Sequence, residues 1–261
     1  MHHRSRSLAC VLLAATAAFL PGRALANDAA ALLKGGRIIF QKTDAVVMER
    51  EDLTIGSERV DIAYVFRNIS TQPVMLRVAF PVDVELYHEE VDPHDFVQDL
   101  DFKLVVNGKV RPTRTVVTRK GSRGRITFHW RQTFPPGEPV RVAHHYTPGG
   151  EHWFMAELDD DDASREVERD FCVDFETVRE LSKREGTFHY VGYILRTGAY
   201  WAKPIGTFRM KVSPASPSTR IFTCYPGLKR VKDGSLRITR QDYVPRRDIA
   251  VLFVSMFDEP E

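Results

Sequence analysis

The stretch FHYVGYILRTGAYWAKPIGTFRMKV, residues 188–212, decides the fold class. It holds two strand-like runs joined by an aromatic loop that carries Tyr200, Trp201, Pro204 and Ile205. Phe188–Leu195 is apolar on both faces apart from His189, and so is the later run Ile249–Met256. Both patterns suit central strands of a sheet covered on two sides, or strands at a domain interface. The stretch also lies between Cys172 and Cys224.

Working outward, the amino terminus reads as an export signal. His2, His3, Arg4 and Arg6 give a basic start, Leu8–Leu20 an apolar run, and Ala24-Leu25-Ala26 a small-x-small cleavage pattern before Asn27. The apolar run is shorter than the ~20 residues that span a bilayer. Cys10 precedes most of that run, which is the wrong place for a lipoprotein signal. Three of the 37 basic side chains lie in this segment and none of the 35 acidic ones, so the mature chain carries 34 against 35. A nearly neutral protein gives no overall electrostatic case for nucleic acid or an anionic membrane. Cleavage leaves Cys172 and Cys224, which in an oxidising compartment suggest one disulfide closing a long loop, worth roughly 4 kcal/mol in the chain-entropy model. Two free thiols or a redox pair are the alternatives, although a redox pair usually takes the C-x-x-C form.

The rest of the chain is strand-rich. Asn27–Leu33 reads as a short helical turn ended by Gly35-Gly36, and short strands follow at Arg37–Phe40 and Ala45–Met48. Val60, Ile62, Tyr64 and Phe66 fall on one face by period-2 alternation, and Val74–Phe80 is expected to return as the hairpin partner, ending at Pro81. Asn68-Ile69-Ser70 matches a glycosylation sequon, but a turn of this composition needs no such explanation. Asn107-Gly108 and Asp233-Gly234 mark tight hairpins. Ile126, Phe128 and Trp130 share a face, as do Val140, Val142, His144 and Tyr146. Regular short strands with turn signals between them suggest an antiparallel sandwich, with a junction at Pro148-Gly149-Gly150. Beyond it, Asp174–Glu185 reads as a helix capped by Asp174 and ended by Gly186, with Phe175, Val178 and Leu181 on one face.

No sequence motif nominates an active site: no G-x-S-x-G elbow, Walker loop, H-E-x-x-H or dinucleotide fingerprint occurs. The acidic stretch 83–101, with His88 and His94, and the run Asp159–Asp162 read as solvated loops, their spacing matching no calcium or zinc site. His144 lies on an apolar face, where a hydrogen-bonded core histidine is the commoner outcome, and His145 points the other way. Tyr200 and Trp201 are the aromatic candidates for recognition in a loop. The competing reading of Trp201 is core packing beside the disulfide.

Several spaced segments resemble a family of exported bacterial proteins known as domain of unknown function 4424. They are ANDAAALLKGG after the signal, EDLTIGSERVDIAYVFRN, VAFP at Val78–Pro81, WRQTFPPGEPVRVAHHY, Phe171-Cys172, YILRTGAYWAKPIGTFRMKV, the cysteine near Phe222 and the closing run from Arg247 to Phe253. The resemblance covers essentially the whole mature chain. It implies export and a β-rich architecture, and brings no catalytic residues with it.

The sequence thus predicts a mainly β protein after a signal peptide at 1–26, cleaved after Ala26. Two antiparallel sandwich-like halves, 27–148 and 149–261, are expected, with one short helix in the second. The expected function is a non-enzymatic recognition module, periplasmic or secreted, for an envelope protein or glycan, with no cofactor, metal or nucleic acid. Tyr200, Trp201, His144 and His152 are its candidate binding residues. The alternative is an envelope hydrolase that combines His144 or His152 with acids of 83–101 or 157–162.

Overall fold

The structure, a computed structural model, describes residues 27–34, 36–86, 90–149, 152–154 and 161–257, the side chains of 37, 152–154 and 161–163 excepted. The chain opens on β1 (Ala29–Lys34) and β2 (Arg37–Phe40), followed by the long strands β3 (Val46–Ile55), β4 (Val60–Asn68) and β5 (Val74–Glu85). One helical turn, α1 (Phe96–Asp99), precedes β6 (Lys103–Val106), β7 (Lys109–Arg111), β8 (Arg114–Lys120), β9 (Arg123–Phe134) and β10 (Pro139–Tyr146). Then come β11 (His152–Phe154), α2 (Asp161–Phe171), α3 (Phe175–Leu181), β12 (Gly186–Tyr193), a 3-10 turn (Arg196–Tyr200) and β13 (Ile205–Val212). Strands β14 (Arg220–Phe222), β15 (Lys229–Arg230), β16 (Leu236–Tyr243) and β17 (Ile249–Met256) complete the fold.

The strands form three sheets, of order β2-β1-β5-β9-β8, β15-β16-β13-β3-β4-β10-β6-β7 and β11-β12-β17-β14. The mainly β expectation holds. Among the described residues the strand pairs are antiparallel except β3 with β13, where Arg50–Ile55 runs parallel to Thr207–Val212. The expected junction near Pro148 therefore divides the sequence but not the eight-stranded sheet, which takes strands from both sides of it. The principal core is likewise shared. It unites Val60, Ile62, Tyr64 and Phe66 with Val78, Phe80, Ile126 and Phe128, and with Val191, Tyr193, Phe208 and Phe253.

The four-stranded sheet is covered on both faces, as the apolar runs at 188–195 and 249–256 require. Val191, Tyr193, Val251 and Phe253 face the shared core, while Phe188, Leu252 and Val254 pack with Val167, Phe171, Val178 and Leu181 of the two helices. Cys172, between α2 and α3, is bonded to Cys224 after β14, so the disulfide ties the helical layer to this sheet.

Local signals decide several elements. Asn107 and Gly108 adopt φ of 48° and 78°, as a type I′ turn between β6 and β7 demands. The side chain of Asp174 caps α3 by accepting from the Thr177 amide at 2.9 Å. Pro81 sits inside β5 because β1 pairs only as far as Ala29 with Ala79, so no ladder bond is missed on that side.

Five expectations need correction. Asn27–Leu33 is not a helical turn: Ala29–Lys34 is a strand, because pairing with β2 and β5 outweighs the helix propensity of alanine and leucine. Strands β4 and β5 are not a hairpin but cross between two sheets, and β5 continues past Pro81 to Glu85. Among the described residues the second half holds two α-helices rather than one, since α2 starts within the acidic run; Asp159 and Asp160 lie outside the described residues. Phe175 is exposed and leaves the core face of α3 to Val178 and Leu181. Trp201 is core, but it packs on Phe66 (ring centroids 4.5 Å apart) and Phe134 in the shared core, not beside the disulfide.

Candidate functional site

Two places in the molecule concentrate polar chemistry. The first is sealed. Inward positions of β3 alternate through Glu51, Leu53 and Ile55, and a register shift between Met48 and Arg50 brings Val46 and Met48 to the same buried side. Glu51 Oε1 lies 3.0 Å from the Tyr193 hydroxyl, which lies 3.1 Å from that of Tyr64. Tyr64 donates to Asn27 Oδ1 at 2.7 Å, and Asn27 Nδ2 returns to Glu51 Oε2 at 3.1 Å. Burial, the dominant cause, pushes the Glu51 carboxyl up to about 8, so it is neutral at pH 7. The geometry agrees. A proton on Oε1 lets Glu51 donate to Tyr193, Tyr193 to Tyr64, Tyr64 to Asn27 and Asn27 back to Glu51. That closes a ring in which every contact holds one hydrogen; an ionised Glu51 would leave the tyrosine pair without one.

Asp28, next in the chain, continues this centre. Its Oδ1 is 2.9 Å from His144 Nε2, its carbonyl accepts from Trp201 Nε1 at 2.9 Å, and the carbonyl of Asn27 accepts from Thr197. Both side chains of the Asp28–His144 pair are 0% exposed. The imidazole is surrounded by Tyr64, Phe80, Phe102 and Trp130, with ring centroids 5.1–5.6 Å away. Asp28 Oδ2, His144 Nδ1 and Trp130 Nε1 are buried with no hydrogen-bond partner. Burial raises the Asp28 carboxyl, and the neighbouring imidazole opposes it.

The second place is open. The β2-β1-β5-β9-β8 sheet curls until β2 and β8 approach one another, and Ala29, Ala31, Ala79, Thr127 and His129 are buried on the face away from the shared core. At one end this face opens into a groove of about 840 Å³ lined by Arg77, Arg111, Arg114, His129 and Arg131, together with Pro112, Thr113, Trp130, Gln132 and Thr133. Arg77 Nη1 lies 2.9 Å from His129 Nδ1. Burial, then Arg77 and Arg114, hold the imidazole below its ordinary range. A neutral His129 therefore accepts from Arg77 at Nδ1 and carries its proton on Nε2.

Of the residues expected to bind, the structure brings His144 and Trp201 together, through Asp28, but inside the core. Tyr200 is half-buried, with its carbonyl accepting from the Thr43 amide. His152 is the first residue of β11, opposite His189, and its side chain lies outside those described. Asp83 and Glu85, acids of the hydrolase alternative, are ion-paired with Arg125 and Arg123 instead of meeting His144. His88, Glu89 and residues 157–160 lie outside the described residues. Asn68, the sequon residue, is buried and bonded to the carbonyls of Gln72 and Phe134. Among the described residues no group of three or more His, Cys, Asp or Glu side chains is placed to hold a metal ion. No helix among them is long and apolar enough to cross a membrane.

Sequence reasoning missed Asn27, Asp28 and Glu51 because each looked like an ordinary polar residue. A charged residue on the inward period of β3 was the available signal for Glu51, hidden by the register shift. The arginines of the groove come from separate segments that only sheet register brings together.

The model of a family described as a domain of unknown function (DUF4424) matches residues 26–123 and 118–252. No curated protein matches the sequence. Among solved structures, a candidate nutrient binding protein from Legionella pneumophila superimposes with a TM-score of 0.53 at 17% identity, covering 88% of this chain and 71% of that one. That likeness is one of fold. The M1 zinc metallopeptidase of Deinococcus radiodurans (TM-score 0.33, 13% identity) and yeast LTA4 hydrolase (TM-score 0.37, 8% identity) also match. This chain spans 43% and 30% of their lengths, and at these scores they carry no argument about catalysis.

Proposed function

For this chain, which belongs to the DUF4424 family of domains of unknown function, we propose a non-catalytic binding role in the cell envelope. One observation carries the reading: His144, one of the two histidines named for a hydrolase, is paired with Asp28 and shut inside the core. General acid–base work needs a group within hydrogen-bond reach of a substrate proton, and neither side chain is exposed. The fold likeness to a candidate nutrient binding protein supports the same reading, as does an open groove rich in arginine. The basic and apolar segment before Asn27 supports export, with Asn27 as the first mature residue.

Two experiments test this. Expressed in a bacterium with its first 26 residues, the protein is expected in the periplasm with a mature mass that starts at Asn27; a cytoplasmic, full-length product would overturn the export half. His144→Gln should lower the melting temperature and change no turnover of envelope esters, glycans or peptides. An envelope substrate turned over by the parent, and lost in His144→Gln at unchanged melting temperature, would overturn the binding half.

A further inference from the structure

We infer that the groove of Arg77, Arg111, Arg114, His129 and Arg131 is a binding site for a multiply charged oxyanion of the phosphate class; the inference rests on the binding role proposed above. Strands β5 and β9 carry the argument, because the same pair of strands treats its arginines in two ways. At one end Arg125 faces Asp83 and Arg123 faces Glu85 in register, and each arginine is ion-paired with the acid opposite, at 2.6 and 3.0 Å. At the other end Arg131 faces Arg77 directly, and the next position along that face of β9, His129, faces Arg114 of β8. Like charges directly opposed across a sheet are destabilising. Among the described residues no carboxylate lies within 4.0 Å of Arg77, Arg111, Arg114 or Arg131, although most other strand arginines have one, among them Arg50, Arg67 and Arg237. The groove is a concentration of uncompensated positive charge in a chain whose residues 27–261 carry 34 basic against 35 acidic side chains overall.

The donors suit oxygen anions. Guanidinium forks bind phosphate and carboxylate oxygens bidentately and stay charged at any physiological pH. The Arg77–His129 contact holds one fork and one ring in fixed orientation and leaves Nε2–H of His129 as a further donor. Thr113 and Thr133, also in the lining, bring hydroxyl-bearing side chains. A single carboxylate would neutralise one of four cations, whereas a phosphomonoester, a pyrophosphate or a lipid phosphate headgroup can engage several at once. A volume of about 840 Å³ is that of a site for a whole small molecule rather than one ion.

Calorimetric titration of the mature protein with inorganic pyrophosphate, a sugar phosphate and phosphatidylglycerol vesicles tests this, with monovalent acetate as control. Saturable binding is expected for at least one phosphate probe, weakened by salt, and acetate should give none. Which probe binds separates a soluble phosphate from a membrane headgroup. The Arg77→Gln/Arg131→Gln variant removes the opposed pair, should fold with an unchanged or raised melting temperature, and should lose affinity by at least about tenfold. An Arg209→Gln variant, on another sheet, should bind as the parent does. No saturable phosphate binding by the parent, or equal affinity in the Arg77→Gln/Arg131→Gln variant, overturns the inference. Failure here, with a periplasmic ligand or partner still recovered by crosslinking, removes the groove alone; turnover that depends on His144 removes the binding role itself.

Discussion

At the scale of single residues, the molecule places its most reactive-looking groups where nothing can reach them. Glu51 has a clear consequence for pH. Its carboxyl is raised from 4.5 to about 8, so below pH 4.5 both folded and unfolded chains hold the proton. Between those values the unfolded chain releases it while the folded one keeps it. Stability contributed at low pH is therefore lost as pH rises, by up to about 1.4 kcal/mol per unit. Glu51→Gln should flatten the fall in urea-unfolding free energy across this window. At acid pH the variant should be less stable by about 1 kcal/mol, since one amide hydrogen lacks a partner. A variant whose stability depends on pH as the parent's does would contradict the neutral-carboxyl ring. His144→Ala strips the buried Asp28 of its partner and should cost about 3–5 kcal/mol, with Asp28→Asn costing less because the amide can stay hydrogen-bonded without charge.

At the scale of elements, the disulfide and the helices belong to one layer. Opening Cys172–Cys224 should destabilise the fold by roughly 4 kcal/mol. Amide exchange should speed up first in α2, α3 and β14, while β3, β4 and β10 of the eight-stranded sheet keep their protection. Equal loosening of both sets would contradict this layering. Strand identity was legible where one face is buried: the periods at Val60–Phe66 and Val140–Tyr146 translate directly into inward side chains. It was illegible where pairing competes with propensity. Ala29–Lys34 has the composition of a helix, and only its partners Arg77–Ala79 and Arg37–Phe40 make it a strand. Helix α2 escaped notice because its first residues are acids, with Val167 and Phe171 the described apolar anchors. The candidate site was less legible than the fold. Asn27, Asp28, Glu51, His144, Tyr193 and Trp201 converge from distant segments, and no local pattern marks such a set.

At the scale of the whole molecule, the first described residues act as a plug. Asn27 and Asp28 are fully buried, and between them they bond to Glu51, Tyr64 and His144 of the eight-stranded sheet and to Leu195, Thr197 and Trp201 in the segment between β12 and β13. Together with the parallel pairing of β3 and β13, this ties the two sequence halves into a common core. A fragment ending at residue 148 should lack a cooperative unfolding transition, because β3 loses its parallel partner and the core loses Tyr193, Trp201 and Phe208. A cooperative transition in that fragment would show that the first half folds by itself. The central claim is that the histidine–carboxylate pair is structural and that recognition takes place at the surface. Its most direct test is the modification of folded protein by diethyl pyrocarbonate with peptide mapping. The account predicts that His94 and His145 react while His144 stays unmodified until the protein unfolds; rapid modification of His144 in the folded state would contradict it.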